Sequence, residues 1–199
     1  GDAGDELFAG YDRYPAILAA SRPATRFLLS MLAPLLSGAR RAKLRAIGGF
    51  GDQTLGGRLL ATQGLASCPQ GSGLVGASWS AAIESESRRY DSIADRVSKF
   101  TPLQRLGIID LETYLSHDLL VKTDRVSMAS GLEVRTPFTD VHLVHAVITA
   151  MRTNPRFPVT GKRSLRRILK GRLPADTLAA PKQGFGVPLK PAVAQGAEL

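Results

Sequence analysis

Apolar residues recur at helical spacing through most of the second half of the chain and lose that regularity in its middle. The clearest stretch is TPLQRLGIIDLETYLSHDLLVKTDRVSMA. Thr101 suits an N-cap, Pro102 the first helical position, and Gln104 can reach back to close a capping box, so a helix of about four turns is expected to follow. A second is expected from near Asp124 to Ser130, stopped by Gly131, and a third from Asp140, where Leu143, Val144, Val147, Ile148 and Met151 repeat at helical spacing. The segment GKRSLRRILKGRL predicts a fourth, with Leu165, Ile168 and Leu169 on one side and Lys162, Arg163, Arg166, Arg167 and Lys170 around the rest. The apolar faces of these helices are expected to meet in one core. The tail segment APKQGFGVPL, with two glycines and two prolines, cannot be helical throughout and is expected to form an ordered loop.

Toward the amino end, residues 5–36 are rich in Ala, Leu and Phe. Pro15, Pro23 and Pro34 interrupt that run, and each should start or stop a helix, which predicts two or three short helices. Between Gly38 and Ser80 lie ten glycines, Cys68, Trp79 and a basic patch of Arg40, Arg41, Lys43 and Arg45. Periodicity is weak there and nothing repeats, so the reading is loops around short helices.

Composition narrows the partners. The net charge of +9 favours anionic ones: nucleotides, nucleic acid or a membrane surface. Eight basic residues fall between Arg152 and Arg172 with no acid among them, yet a nucleic-acid surface would interleave aromatics, and only Phe157 is there. A solvated helix face is the expected reading, with no nucleic-acid partner. A hydrophobic content of 44% suits a soluble core, and no apolar run approaches the roughly 20 residues of a membrane span. The start lacks the basic and apolar regions of a signal peptide, and a single cysteine excludes an internal disulfide or a cysteine-cluster metal site. Both fit a cytoplasmic protein. At 199 residues the chain could be one domain or a large part of a bigger one.

Candidate chemistry concentrates in two places. The chain opens GDAGDELFAGYDRY, where Asp2, Asp5 and Glu6 crowd together among glycines. Such carboxylates repel one another unless a cation or donors compensate them. Magnesium would suit, because it takes one or two protein carboxylates and completes its shell with water and phosphates, while glycines let backbone amides approach those phosphates. The same acids would also serve as the favourable, solvated first turn of a helix. Lys182, in PKQGFG, is either an exposed lysine or a cation presented by a loop without a helix to constrain its approach. In the block KTDRVSMASGLEVRTPFTD, Asp124 and Asp140 are expected to cap helices and Glu133 with Arg135 to join an internal ion-pair network among buried apolar residues, while Lys122 and Arg125 could face a nucleotide or acidic substrate. His117, His142, His145 and Cys68 lack the spacing of a metal site or a nucleophile and are read as structural or surface residues.

Three segments, GDAGDELFAGYDRY, LLVKTDRVSMASGLEVRTPFTD and KRSLRRIL with LPADTLAAPKQGFGVPL, together resemble successive blocks of the synthetase domain of glutamine-hydrolysing asparagine synthetases. They follow the family's order and cover residues 1–14 and 101–190. The resemblance implies that a carboxylate, normally that of aspartate, attacks the α-phosphate of ATP to give an acyl-adenylate and pyrophosphate, after which ammonia derived from glutamine displaces AMP. It implies ATP and Mg2+ as cofactors. Asp5 matches the family's magnesium–pyrophosphate acid, Asp2 the acid that orients substrate or intermediate, and Lys182 the active-site lysine; Gly1, Gly4 and Glu6 belong to the same nucleotide loop, with Glu6 one step behind the contact. The implied fold is the mainly α segment of an α/β adenine-nucleotide hydrolase-like (ATP pyrophosphatase) domain, whose parallel sheet would lie largely in a portion preceding Gly1. Residues 1–199 then correspond to the carboxy-terminal part of the synthetase domain, with the amino-terminal glutaminase and the SGGxDS phosphate loop expected in that portion, and with a homodimer compatible. Ala3 and Ala9 stand where the family usually has glycine. Another acceptor, such as a sugar acid of a surface polysaccharide, keeps the chemistry and changes the substrate. A basic binding protein without chemistry is the reading outside enzymes.

Overall fold

The computed structural model describes residues 1–32, 54–63 and 77–180, and these are helical almost throughout. Among the described residues the nearest approach to a sheet is a single bridge between Lys170 and Leu173. Among them, too, no helix is long and apolar enough to cross a membrane. Lys182 and the rest of its loop, Pro34, Cys68 and the basic patch from Arg40 lie outside the described residues.

The chain divides into two units, Gly1–Leu165 and Arg166–Leu199. The first begins with a one-turn helix, α1 (Gly4–Leu7), followed by α2 (Arg13–Ala20) and α3 (Pro23–Leu32). Pro15 sits in the first turn of α2 and Pro23 opens α3, both positions where a missing N–H costs nothing. Helix α4 (Leu55–Ala61) is capped by Thr54, whose hydroxyl accepts from the Gly57 N–H. A twenty-residue helix, α5 (Ala77–Arg96), follows, which the sequence reading did not separate from the glycine-rich stretch before it. It carries Tyr90, Ile93 and Ala94 into the core.

Helix α6 (Pro102–Asp110) starts as its capping box predicts: the Thr101 N–H donates to Gln104 Oε1 at 2.9 Å, and the Gln104 N–H donates to the Thr101 hydroxyl. Gln104 does more than cap. Its buried amide nitrogen also donates to the carbonyls of Met151 at 2.9 Å and Phe157 at 2.6 Å, fastening the far end of the third predicted helix to the start of α6. The helix does not stop after four turns. It continues through a π-helical segment, Leu111–Leu119, into α7 (Leu120–Ala129), since no proline or glycine interrupts residues 108–130. Asp124 therefore lies inside α7 rather than capping it. Gly131 ends the run at a φ of 66°, with Leu132 N–H donating to Ser127 O and Gly131 N–H to Met128 O, each at 3.0 Å, the pairing of a Schellman stop. Helix α8 (Val141–Thr153) is capped by Asp140, whose carboxylate accepts from His142 and Leu143 N–H at 2.9 and 3.0 Å.

The apolar faces meet in two clusters rather than one. Tyr14, Ile17, Leu59, Ile93, Leu106 and Ile109 form the first; Leu7, Phe8, Ile108, Leu115, Val147 and Met151 form the second. Helix α6 contributes to both because Leu106 and Ile109 project to one side and Ile108 to the other. The block around α7 differs from expectation. Val126, Met128, Leu132 and Val134 are exposed, as no described element packs over that face. Glu133 and Arg135 do pair, but with side chains 70% and 82% exposed they form a surface pair, not an internal network.

The short helix α9 (Arg163–Leu169) spans the boundary between the units. Within the second unit, α10 (Ala175–Ala179) is held by Arg166, whose guanidinium donates to the carbonyls of Leu178 and Ala180.

Candidate functional site

The acid-rich opening folds as two left-handed corners around α1. Ala3 has φ 65° and Ala9 φ 49°, a region that glycine enters without a steric cost and alanine does not. These are the two positions at which the resemblance expects glycine, so the loop geometry gives that preference a cause. Both alanines are buried, at 0% and 2% exposure, which fixes the corners from inside. The Gly10 N–H donates to the Asp5 carbonyl at 2.8 Å and closes the loop.

The three acids of the motif go to three different environments. Asp5 keeps its side chain at the rim, 20% exposed, with Oδ2 3.0 Å from Lys162 Nζ. Lys162 reaches it from just before α9. Its own φ is 57°, and the neighbouring Gly161 N–H donates to the Ala9 carbonyl at 2.8 Å, so residues 161–162 are tied to the loop by backbone as well as by charge. Lys162 is thus not one of the solvated helical cations that the basic run suggests. Gly10 makes the close approach feasible: a Cβ there would lie 2.0 Å from Asp5 Oδ1 and 2.4 Å from Lys162 Cε. Asp2 faces the other way, toward α7, where the Thr123 hydroxyl lies 3.5 Å from its carboxylate.

Glu6 turns inward and is 1% exposed. The Tyr11 hydroxyl donates to its Oε1 at 2.7 Å. Burial pushes the Glu6 carboxyl above its ordinary 4.5, against the opposing pull of that hydrogen bond. Burial and the Glu6 carboxylate likewise push the Tyr11 phenol up, which keeps it a donor. Glu6 therefore lies inside the loop, behind its open rim. Gly4 is buried beside Phe138, and its N–H donates to the Gly1 carbonyl at 3.0 Å. Gly1 itself is exposed.

Behind the loop lies a brace that sequence reasoning did not find. Arg13 donates to Asp110 Oδ2 at 2.6 Å, the Tyr14 hydroxyl donates to the same oxygen at 2.6 Å, and Gln63 donates to Oδ1 at 2.9 Å while accepting from the Tyr90 hydroxyl at 2.7 Å. The Arg13 guanidinium also lies 3.9 Å from the ring centre of Tyr11 and 4.9 Å from that of Tyr114. Burial works against the charge of Arg13, but Asp110 beside it more than restores it, so the guanidinium stays protonated. The tail of the motif, GYDRY, is in this way the anchor that holds its acidic head against α6. A second anchor is steric. A Cβ on Gly107 would lie 2.4 Å from the Glu6 carbonyl, so α6 and α1 touch backbone to backbone.

Asp5, Lys162 and Gly10 are thus brought together, Asp2 stands apart beside Thr123, and Lys182 lies outside the described residues. Among the described residues no group of three or more His, Cys, Asp or Glu side chains is arranged to hold a metal. Lys122, a candidate for facing substrate, lies 3.6 Å from Asp118 on the surface.

Comparison with known proteins matches the sequence to a family. A putative glutamine-hydrolysing asparagine synthetase of Mycobacterium tuberculosis is 42% identical over 90 residues, 45% of this chain and 14% of that protein. Asparagine synthetase 1 of Bacillus subtilis, also glutamine-hydrolysing, is 29% identical over 96 residues, 47% of this chain and 15% of that protein. The matched segments therefore span about a seventh of these relatives' length. No solved structure matches the chain significantly. The family model described as asparagine synthase matches residues 1–198, nearly the whole sequence, and the chain belongs to that family.

Proposed function

We propose that this chain supplies the pyrophosphate-handling side of an ATP-dependent amidating ligase whose acceptor is aspartate and whose nitrogen is ammonia derived from glutamine. The reading takes residues 1–199 as the carboxy-terminal part of the synthetase domain of a larger α/β adenine-nucleotide hydrolase-like protein. One observation carries it: an acid and a lysine from distant parts of the chain meet at 3.0 Å on the rim of a strained glycine-rich loop, both partly open to solvent.

The chemistry explains why such a pair is useful. An acceptor carboxylate oxygen attacks the α-phosphorus, the bond to the bridging oxygen breaks, and pyrophosphate leaves; ammonia then attacks the acyl carbon and AMP departs. Negative charge grows on the departing pyrophosphate, so preorganised cations there lower the barrier. Lys162 can exchange its carboxylate partner for a phosphate oxygen without any backbone rearrangement, because the loop already holds it in place. Lys182 is assigned as a second cation from its own loop, and Asp2 as the acid that orients the acceptor or the acyl-adenylate. Gly1, exposed at the loop's edge, is where backbone can approach phosphate.

The family implies magnesium. The donor set fits a shared ion rather than an all-protein cage: Asp5 is a single rim carboxylate, and magnesium bound with a polyphosphate needs only one or two such ligands. When bound, the ion would neutralise phosphate charge. Asp5 would hold it, while Tyr11 and Glu6 keep the Asp5 backbone in register from below.

The test is a screen of carboxylic acids, aspartate and uronic acids among them, for ATP-dependent pyrophosphate release by the full-length protein. Release stimulated by aspartate above all others supports the reading. Stimulation by a sugar acid alone would replace the acceptor, and nucleic-acid binding without acid-dependent release would replace the class of function.

A further inference from the structure

Gln104 is buried, and both ends of its amide are engaged. Oε1 accepts from the Thr101 N–H at 2.9 Å, which completes the cap of α6. A capping box uses only that oxygen, and glutamate supplies one as well as glutamine does. The nitrogen is the part of the residue that capping leaves unexplained. It donates to the carbonyls of Met151, Asn154 and Phe157, at 2.9, 3.3 and 2.6 Å. The first two stand at the end of α8, where a helix leaves its last carbonyls without partners, but Phe157 lies beyond it. From Phe157 the chain runs five positions to Lys162 and is tied to the acid-rich loop on the way. The Phe157 ring packs edge-on against Phe8 with centroids 6.3 Å apart, and the Gly161 N–H donates to the Ala9 carbonyl at 2.8 Å. Lys162 Nζ then ends 3.0 Å from Asp5 Oδ2. Residues 154–162 are thus a strap within the first unit, fixed at its near end by Gln104 and carrying an ammonium at its far end.

We propose that Gln104 is a positioning residue for Lys162, acting through the Phe157 carbonyl to hold the ammonium where a departing pyrophosphate needs it. The inference rests on the reading that Lys162 and Asp5 serve the pyrophosphate, and it adds a residue of α6 to that machinery. Lys162 has a φ of 57°, a conformation that a residue with a Cβ leaves readily unless its surroundings fix it. Without the amide donor, only the Phe8 and Ala9 contacts would restrain the strap, and its freed end could carry Lys162 off its place at the rim.

Exchange of labelled pyrophosphate into ATP by the full-length protein tests this, with aspartate present, no nitrogen donor, and the folded fraction measured by circular dichroism. Gln104→Met, close to glutamine in length, should lower kcat for exchange by about 10- to 100-fold, the scale of a misplacement near 1 Å, and leave KM for ATP within about threefold. Gln104→Asn keeps a buried amide one methylene short of the carbonyls; it should change exchange in the same direction and guards against a methionine variant that does not fold. Thr101→Val weakens the same cap without touching the amide nitrogen, so it should lower the melting temperature and leave the rate per folded molecule unchanged. In a Lys162→Met background, Gln104→Met should slow exchange by less than about twofold more, because the group it positions is already gone. Three results would overturn the inference alone: folded Gln104 variants that exchange at the parent's rate, an equal fall in Thr101→Val, or the full further loss in the Lys162→Met background. Lys162→Met exchanging at the parent's rate would instead overturn the reading beneath it, and the inference with it.

Discussion

Replacing Gly10 with alanine inserts one methyl group at the most crowded point of the acid-rich loop. Its Cβ would sit 2.0 Å from Asp5 Oδ1, 2.9 Å from Asp5 Cγ and 2.4 Å from Lys162 Cε, whereas an ordinary contact of this kind is about 3.5 Å. The φ of Gly10 lies outside the left-handed region, so the methyl adds no backbone strain and the conflict is entirely with two side chains. Relief requires the carboxylate to move by roughly 1.5 Å, the lysine stem to swing away, or both. Either movement separates a pair now at 3.0 Å. The energetic cost to folding should be modest. The pair is partly exposed and contributes about 1 kcal/mol or less, and crowding near solvent falls at the low end of the roughly 1–3 kcal/mol seen for overpacking. Catalysis should suffer far more, because misplacing a reacting or charge-stabilising group by about 1 Å can cost on the order of 100-fold. Two assays on the full-length protein separate the effects: thermal unfolding by circular dichroism, and exchange of labelled pyrophosphate into ATP with aspartate present. A melting temperature within a few degrees of the parent, together with exchange reduced on the order of 100-fold, is expected. A folded Gly10→Ala protein that exchanges pyrophosphate at the parent's rate would show that the Asp5–Lys162 geometry does not matter to the reaction.

Three further outcomes follow from the packing. Asp110→Ala leaves the Arg13 guanidinium, 18% exposed, without its carboxylate, and should destabilise the protein by about 3–5 kcal/mol in urea unfolding; a loss under about 1 kcal/mol would mean that the brace is dispensable. Glu6 has a folded-state pKa above its ordinary 4.5, so the folded state binds its proton more tightly than the unfolded state, and this contribution to stability should decline as pH rises from about 4.5 through the raised value and then level off. Glu6→Gln keeps an acceptor for Tyr11 and removes the buried charge, so it should flatten that slope and be the more stable protein at neutral pH; an unchanged slope in urea midpoints measured from about pH 4 to about pH 8 would refute the assignment. Glu133→Ala should shift unfolding by no more than about 1 kcal/mol, since its pair with Arg135 is a surface one, and a larger loss would restore the internal network.

Signals acting over three or four residues were legible in the sequence. The Thr101–Gln104 capping box, the Asp140 cap and the Gly131 stop stand where the pattern puts them, because each is decided by neighbours within one helical turn. Features that span the chain were not. Arg13 and Asp110 are 97 positions apart, and neither carries a local mark of the other. Lys162 read as one more cation on a basic helix, since charge periodicity cannot show that a positive φ lifts it off the helix and turns it toward Asp5. Helix α5 was hidden by the glycine-rich sequence before it, although Tyr90, Ile93 and Ala94 give its second half a usable apolar face. The acids at the chain's start were visible as a cluster, but their division into a rim acid, a buried acid and one beside Thr123 depends on two left-handed corners at residues whose type, alanine, gives no hint of them.

Lys162 and Asp5 are proposed to serve a departing pyrophosphate, and the first half-reaction isolates that step. The decisive measurement is exchange of labelled pyrophosphate into ATP by full-length Lys162→Met protein, with aspartate present, no nitrogen donor, and folding checked by circular dichroism. Losing one preorganised cation at the developing charge should slow exchange by a factor on the order of 10²–10³ while ATP binding weakens less. Exchange at the parent's rate in the folded variant would contradict the account and leave the Asp5–Lys162 pair a structural contact.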